Sequence, residues 1–190
     1  MKHCRGVTLI ELMITVAVLA VMAVIAIPSL DAFLIRSQRQ QVVSEVITAL
    51  ALARSEAVKR AVPVTLAAKS SGTLAMQDGW RIFVDPARTA TFDSASGSVT
   101  TLIAEQTAYP TGEVKIGNIG SPQLAGSTEY VHFDSLGRST LISGASSANS
   151  LTVIVQRGGV DKAKTALCIG WAGRVRTVTD KANNDTGACG

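Results

Sequence analysis

The sequence predicts an α+β protein: one long N-terminal helix, half transmembrane and half amphipathic, packed on a C-terminal antiparallel β-sandwich-like domain. Three observations predict it. Residues 7–27 are apolar except for Thr8, Glu11 and Thr15. Residues 29–61 keep apolar side chains at three- and four-residue steps up to Pro63. Beyond residue 62 the chain breaks into short β-branched runs separated by Gly, Ser, Asn and Pro. A chain of 190 residues supplies one domain of ordinary size beside such a helix.

The helix starts behind a short basic leader, Met1-Lys2-His3-Cys4-Arg5-Gly6. At about 1.5 Å per residue the span 7–27 reaches roughly 30 Å, the thickness of a bilayer core. Glu11 is out of place there, since an ionised acid in a membrane helix costs on the order of 3 kcal/mol and calls for a partner. A secretory signal would need a small-residue cleavage site after its apolar region, whereas here that region runs on into a charged helical segment. A cut after Gly6 would instead leave the anchor intact and free an amine at Val7, four residues from Glu11. Lys2 and Arg5 precede the span, which places the N-terminus in the cytoplasm and the remainder outside the inner membrane, in the periplasm of a two-membrane bacterium.

Past Pro28, expected to bend or locally melt the helix, residues Val43, Val46, Ile47, Leu50, Ala53 and Ala57 form an apolar stripe that would pack on the β-domain. Pro63 supplies the stop. Strands are expected at 64–68, 80–85, 99–105, 114–119, 130–133, 139–142, 151–156, 165–170 and 175–179, with loops at 70–72, 94–98, 117–127 and 143–150 and no internal repeat. Leu136-Gly137-Arg138 reads as a hairpin turn with Gly137 at a position wanting positive φ. The domain boundaries follow: leader 1–6, helix 7–61 with its anchor at 7–28, and β-domain 62–190 with a tail at 168–189.

The N-terminal motif resembles the type IV pilin class, which includes the pseudopilins of type II secretion. Gly6 matches the residue before the prepilin peptidase cut, Glu11 the acid at the fifth mature position, and Pro28 the kink in the first helix; Val7 departs from the usual Phe. The resemblance implies a cut after Gly6, N-methylation of Val7, and neutralisation by Glu11 of a neighbouring subunit's amine during assembly. Expected partners are therefore the prepilin peptidase, the inner membrane and other pilins in a filament. Losing Lys2 and Arg5 with the leader lowers the formal net charge from +4 to +2, too weak to name a partner by itself.

Within that class the order of elements resembles the GspH/FimT branch, with Phe133-Asp134-Ser135-Leu136-Gly137-Arg138 as its strand-turn segment. Cys4 leaves with the leader, so Cys168 and Cys189 remain as an even pair in an oxidising compartment. The resemblance to FimT- and FimU-like tails implies that these two form a disulfide. The branch spans secretion pseudopilins, minor pilins that prime or cap a filament, and FimT-like proteins that bind DNA in natural transformation. Gly173-Arg174-Val175-Arg176 resembles the GRxR element of the last group. On an extended strand Arg174 and Arg176 share one face about 7 Å apart, so that each can engage a phosphate. Arg174, Arg176 and Lys181 are the expected phosphate contacts, with Gly173 allowing close backbone approach; Lys162 and Lys164 lie upstream, and Asp180 and Asp185 dilute the patch. Binding would be independent of sequence.

No catalytic set, metal site or cofactor is expected. His132, Asp134 and Ser135 lack a second histidine and a nucleophile elbow, and no Gly-rich loop leads into Lys-Ser/Thr. Ligand spacing for a metal is missing, with His132 the single histidine past the leader. Trp80 and Trp171 are expected to pack in or near the core; the alternative for Trp171, two residues before the Gly173-Arg174-Val175-Arg176 motif, is stacking on a base.

Overall fold

The computed structural model describes residues 8–70, 75–95, 99–109, 113–117, 129–140 and 149–179. The chain divides into two units, 1–37 and 38–190. Helix α1 (Leu9–Arg60) crosses that division and runs unbroken through Pro28, so the local melting expected there is not seen.

In the first unit Thr8 caps the helix. Its hydroxyl accepts from the Glu11 N–H at 3.3 Å, and the Glu11 carboxylate accepts from the Thr8 N–H at 3.2 Å. This reciprocal pair is a capping box, written in the sequence as Thr8-x-x-Glu11. From Leu12 to Ala23 only Thr15 is polar, and large apolar side chains are exposed, among them Leu12 at 59%, Leu19 at 63% and Met22 at 63%. Such a surface is stable against lipid or protein rather than water. Among the described residues no helix carries a stretch long and apolar enough to cross a membrane; the side chains of residues 24–29, at the end of the expected anchor 7–28 and just past it, lie outside the description.

In the second unit α1 buries Val42, Val46, Ala49, Leu50, Ala53 and Ala57, while Val43 and Ile47 are partly buried at the stripe's edge. The helix ends at Arg60, and Ala61 takes a left-handed φ of +53° ahead of Pro63. Among the described residues nine strands follow in two antiparallel sheets. The first has the order β3-β2-β1-β5-β6: β3 (Thr101–Gln106), β2 (Trp80–Val84), β1 (Val64–Ala68), β5 (Tyr130–Phe133) and β6 (Ser139–Thr140). The second has the order β4-β7-β8-β9: β4 (Val114–Gly117), β7 (Asn149–Arg157), β8 (Val160–Ile169) and β9 (Val175–Thr179).

The core lies where side chains of both sheets meet the helix stripe. Leu66, Ile82, Val131 and Phe133 come from the first sheet, and Ile116, Leu151, Val153, Leu167 and Ile169 from the second. β1 is central and buried at all five positions, because segment 85–95 covers the other face of its sheet. There Phe92 packs edge-on against Phe83 at 5.4 Å, with the Arg81 guanidinium 5.3 Å from the Phe92 centroid. Beneath, Thr65 donates to Asp85 at 2.9 Å and lies 2.7 Å from His132 Nδ1, while Asp85 accepts the N–H groups of Thr89 and Ala90. Burial lowers the His132 pKa, partly offset by the Asp85 charge. His132 thus belongs to a buried polar network with Thr65 and Asp85.

Several expected boundaries shift. β7 starts at Asn149, inside the loop expected at 143–150, and Gly117, where the expected strand 114–119 and loop 117–127 overlap, belongs to β4. β8 starts at Val160 rather than at 165, because the two-residue turn Gly158-Gly159, with φ of +59° and +77°, pairs Arg157 directly with Val160.

Candidate functional site

The site is built from two turns with the same hydrogen bonds, one from each sheet. Between β5 and β6, the Asp134 N–H donates to the Arg138 carbonyl at 3.0 Å and the Gly137 N–H to the Asp134 carbonyl at 2.8 Å. Between β8 and β9, the Gly170 N–H donates to the Arg174 carbonyl at 2.9 Å and the Gly173 N–H to the Gly170 carbonyl at 2.8 Å. Each is a type I turn closed by a glycine in the left-handed region, with φ of +74° at Gly137 and +73° at Gly173, followed by an arginine. The two turns share Gly-Arg at the same place, Gly137-Arg138 and Gly173-Arg174.

The two turns lock together. The Ser139 N–H donates to the Trp171 carbonyl at 3.0 Å, tying the edge of the first sheet to the second turn. Arg54 on α1 donates from Nε to the Gly137 carbonyl at 3.0 Å. A Cβ on Gly173 would lie 2.1 Å from that same carbonyl oxygen and 2.9 Å from Arg54 Nε. Gly173 is therefore buried against protein, and the close approach it permits is to Gly137 and Arg54; the expected approach to a ligand is corrected. Arg54 was missed because, beside the stripe Leu50, Ala53 and Ala57, it reads as an ordinary flanking cation.

The arginines of the two turns have different environments. Asp134 accepts from the Leu136 and Arg138 N–H groups at 3.0 and 2.9 Å, and from the Arg138 guanidinium at 2.7 and 2.8 Å. Burial alone would raise the Asp134 pKa, but the hydrogen bonds and charge of Arg138, with the Leu136 N–H, hold it below its usual value. Arg138 is thereby neutralised within its turn. In the second turn Gly170 stands where Asp134 stands in the first, and among the described residues Arg174 has no carboxylate partner. Arg174 and Arg176 are both exposed, whereas Val175 between them packs against the core. Arg176 also lacks an acidic partner among the described residues and sits opposite Cys168 in the β8–β9 register. Lys164 is engaged by Asp161 at 3.1 Å, while Lys162 is exposed.

Trp80 is buried at 7% exposure as expected, but Trp171 is 62% exposed, which overturns its assignment to the core. The second residue of a tight turn projects away from the body, so strand neighbours do not cover it. Gly6, Val7, Lys181, Cys189, Asp180 and Asp185 lie outside the described residues. Cys168 is buried on β8. Among the described residues no group of acids, histidines and cysteines could hold a metal ion.

A long helix with an apolar first segment and a two-sheet domain on its second defines a pilin-like protein. Residues 1–27 match the Prokaryotic N-terminal methylation motif, and residues 42–173 match the family described as Type II transport protein GspH. The chain belongs to the GspH family and carries the N-terminal methylation motif ahead of it. Crystal structures of the type IV minor pilin FimU from Pseudomonas aeruginosa share the fold. One has a TM-score of 0.52 at 17% identity over 81% of this chain and 96% of that one, and another form has 0.50 at 17% identity over 79% and 98%. No curated protein matches the sequence. Membership of the pilin family implies association with other pilins in a filament.

Proposed function

We propose that this minor pilin binds DNA through the β8–β9 hairpin and supports DNA uptake in natural transformation. The observation that carries the proposal is the contrast between the two turns: Arg138 is neutralised by Asp134, whereas Arg174, with Gly170 in the equivalent place, keeps its charge outward beside exposed Arg176. Two permanently charged forks on one strand face suit backbone phosphates and carry no base readout. Lys181 is a further phosphate contact in this proposal, and a Cys168–Cys189 disulfide would hold the tail that carries it. The leader is cut after Gly6 by the prepilin peptidase, Val7 is methylated, and the helix anchors the protein in the inner membrane, with the β-domain periplasmic before incorporation into the filament. Glu11 then exchanges its Thr8 partner for a neighbouring subunit's amine.

The test compares duplex binding by the wild-type chain and by Arg174→Gln/Arg176→Gln in detergent micelles. The double substitution should sharply weaken binding at unchanged thermal stability and flatten the log-log salt slope by about 2, the contribution of two phosphate contacts. Scrambled duplexes should compete equally. Unchanged binding by the double variant, or no binding by the wild type at low salt, would leave a purely structural role: a minor pilin that primes or caps a filament, or a secretion pseudopilin. The apolar surface of α1 and Glu11 would serve either one.

A further inference from the structure

Trp171 is an exposed aromatic on a fixed backbone. Its carbonyl is held by the Ser139 N–H at 3.0 Å, and the turn around it is closed by Gly170 and Gly173 at 2.9 and 2.8 Å. Gly173 in turn is wedged against the Gly137 carbonyl and Arg54. The indole is therefore presented to solvent, at 62% exposure, from a turn that packing and hydrogen bonds keep in place. Three residues later the same turn delivers Arg174, and two more deliver Arg176, both exposed and without an acidic partner among the described residues. The sister turn places Ser135 and a neutralised Arg138 at the matching positions, so aromatic face and available cations coincide on the β8–β9 turn.

We infer that Trp171 is a stacking platform for an unpaired nucleobase, flanked by phosphates on Arg174 and Arg176, so that the hairpin takes single-stranded or end-frayed DNA in preference to closed duplex. The inference rests on the DNA-binding proposal and deepens it. A flat aromatic beside guanidinium groups matches the two demands of single-strand binding, a π-face for the base and cations for the backbone. In a closed duplex both faces of every base are already stacked, so Trp171 has nothing to receive there. A second copy of this chain is the competing occupant, since an exposed indole also suits a protein contact.

The experiment uses the full chain in detergent micelles with two probes of equal phosphate number: oligo-dT, and a covalently closed circular duplex with no unpaired base. Trp171→Leu should weaken oligo-dT binding roughly five- to tenfold, the lower part of the range for one base on an aromatic, and leave the closed duplex unchanged. Trp171→Phe should retain most of the oligo-dT affinity. Oligo-dT should quench the Trp171 fluorescence, whereas buried Trp80 supplies an unresponsive background. Arg174→Gln/Arg176→Gln should weaken both probes. Equal loss on both probes with Trp171→Leu, or no loss on either, overturns the stacking role and leaves the DNA-binding proposal standing. Wild-type failure to bind either probe defeats the DNA-binding proposal itself. Loss of self-association in Trp171→Leu with oligo-dT binding intact assigns the face to a chain–chain contact and also overturns the inference.

Discussion

Gly173 and Gly158 both adopt positive φ, +73° and +59°, yet their surroundings differ completely. A Cβ on Gly158 would meet nothing within 4 Å, whereas on Gly173 it would lie 2.1 Å from the Gly137 carbonyl oxygen and 2.9 Å from Arg54 Nε. Gly158→Ala should therefore cost only the left-handed conformation, about 1 kcal/mol. Gly173→Ala carries the same conformational cost and must also push the two turns apart by more than 1 Å, roughly the gap to an ordinary contact. That separation strains the packing by about 1–2 kcal/mol. It also breaks the 3.0 Å bond from Arg54 to Gly137, worth about 1–2 kcal/mol at a part-buried site. The total is about 3–5 kcal/mol. At about 2–4 °C per kcal/mol for a chain of this size, Gly158→Ala should lower the melting temperature by about 3 °C and Gly173→Ala by about 10 °C. Circular dichroism melts of the two variants measure this directly. Removing Arg54 as well should not rescue Gly173→Ala, because the shortest contact is with backbone. Equal losses for the two glycines would refute the locked pair of turns.

Acid should selectively weaken the first turn. The folded-state pKa of Asp134 lies below its unfolded value, so its contribution is complete above about pH 5 and disappears as pH falls through the folded value. Urea titrations at pH 7 and pH 3 should show a larger loss for the wild type than for Asp134→Asn; equal losses would show that another group governs the acid limb. Thiol labelling of the folded chain should find neither Cys168 nor Cys189 reactive, with reactivity appearing at Cys168 in Cys189→Ser after unfolding. The Cys189→Ser domain should keep its melting transition, because the lost constraint acts on the terminal tail, and global unfolding of that variant would show that the tail is integral to the core.

β1, β5 and β9 coincide with their expected bounds because local pattern and tertiary pairing agree there. β1 is the clearest case: a central strand covered on both faces is apolar or hydrogen-bonded throughout, and Val64-Thr65-Leu66-Ala67-Ala68 reads so without context. The start of β8 was not legible by the same rule. Asp161, Lys162 and Lys164 argue against a strand on propensity, yet the Gly158-Gly159 turn sets the register and ladder hydrogen bonds carry the charged residues with it. The dipeptide itself was the available signal. Thr8-x-x-Glu11 was likewise legible as a capping box, yet the membrane cost of Glu11 points to a distant partner, whereas its partner in the fold lies three residues off.

The exposed pair Arg174 and Arg176 was visible in alternation alone, whereas the reason for the preceding glycine was not, because Gly137 and Arg54 are far away in sequence. That distinction bears on how arginines after such turns are read. Gly-Arg occurs at both turns with the same backbone, so the dipeptide by itself reports turn geometry. The residue at the head of the turn decides what the arginine does. An aspartate there, as at position 134, satisfies two backbone N–H groups and captures the guanidinium, making the arginine part of the turn. A glycine there, as at position 170, preserves the turn through its backbone bonds but supplies no carboxylate. Placing an aspartate at position 170 should consequently engage Arg174 as Asp134 engages Arg138, and a DNA site that depends on a free Arg174 should lose affinity without loss of fold.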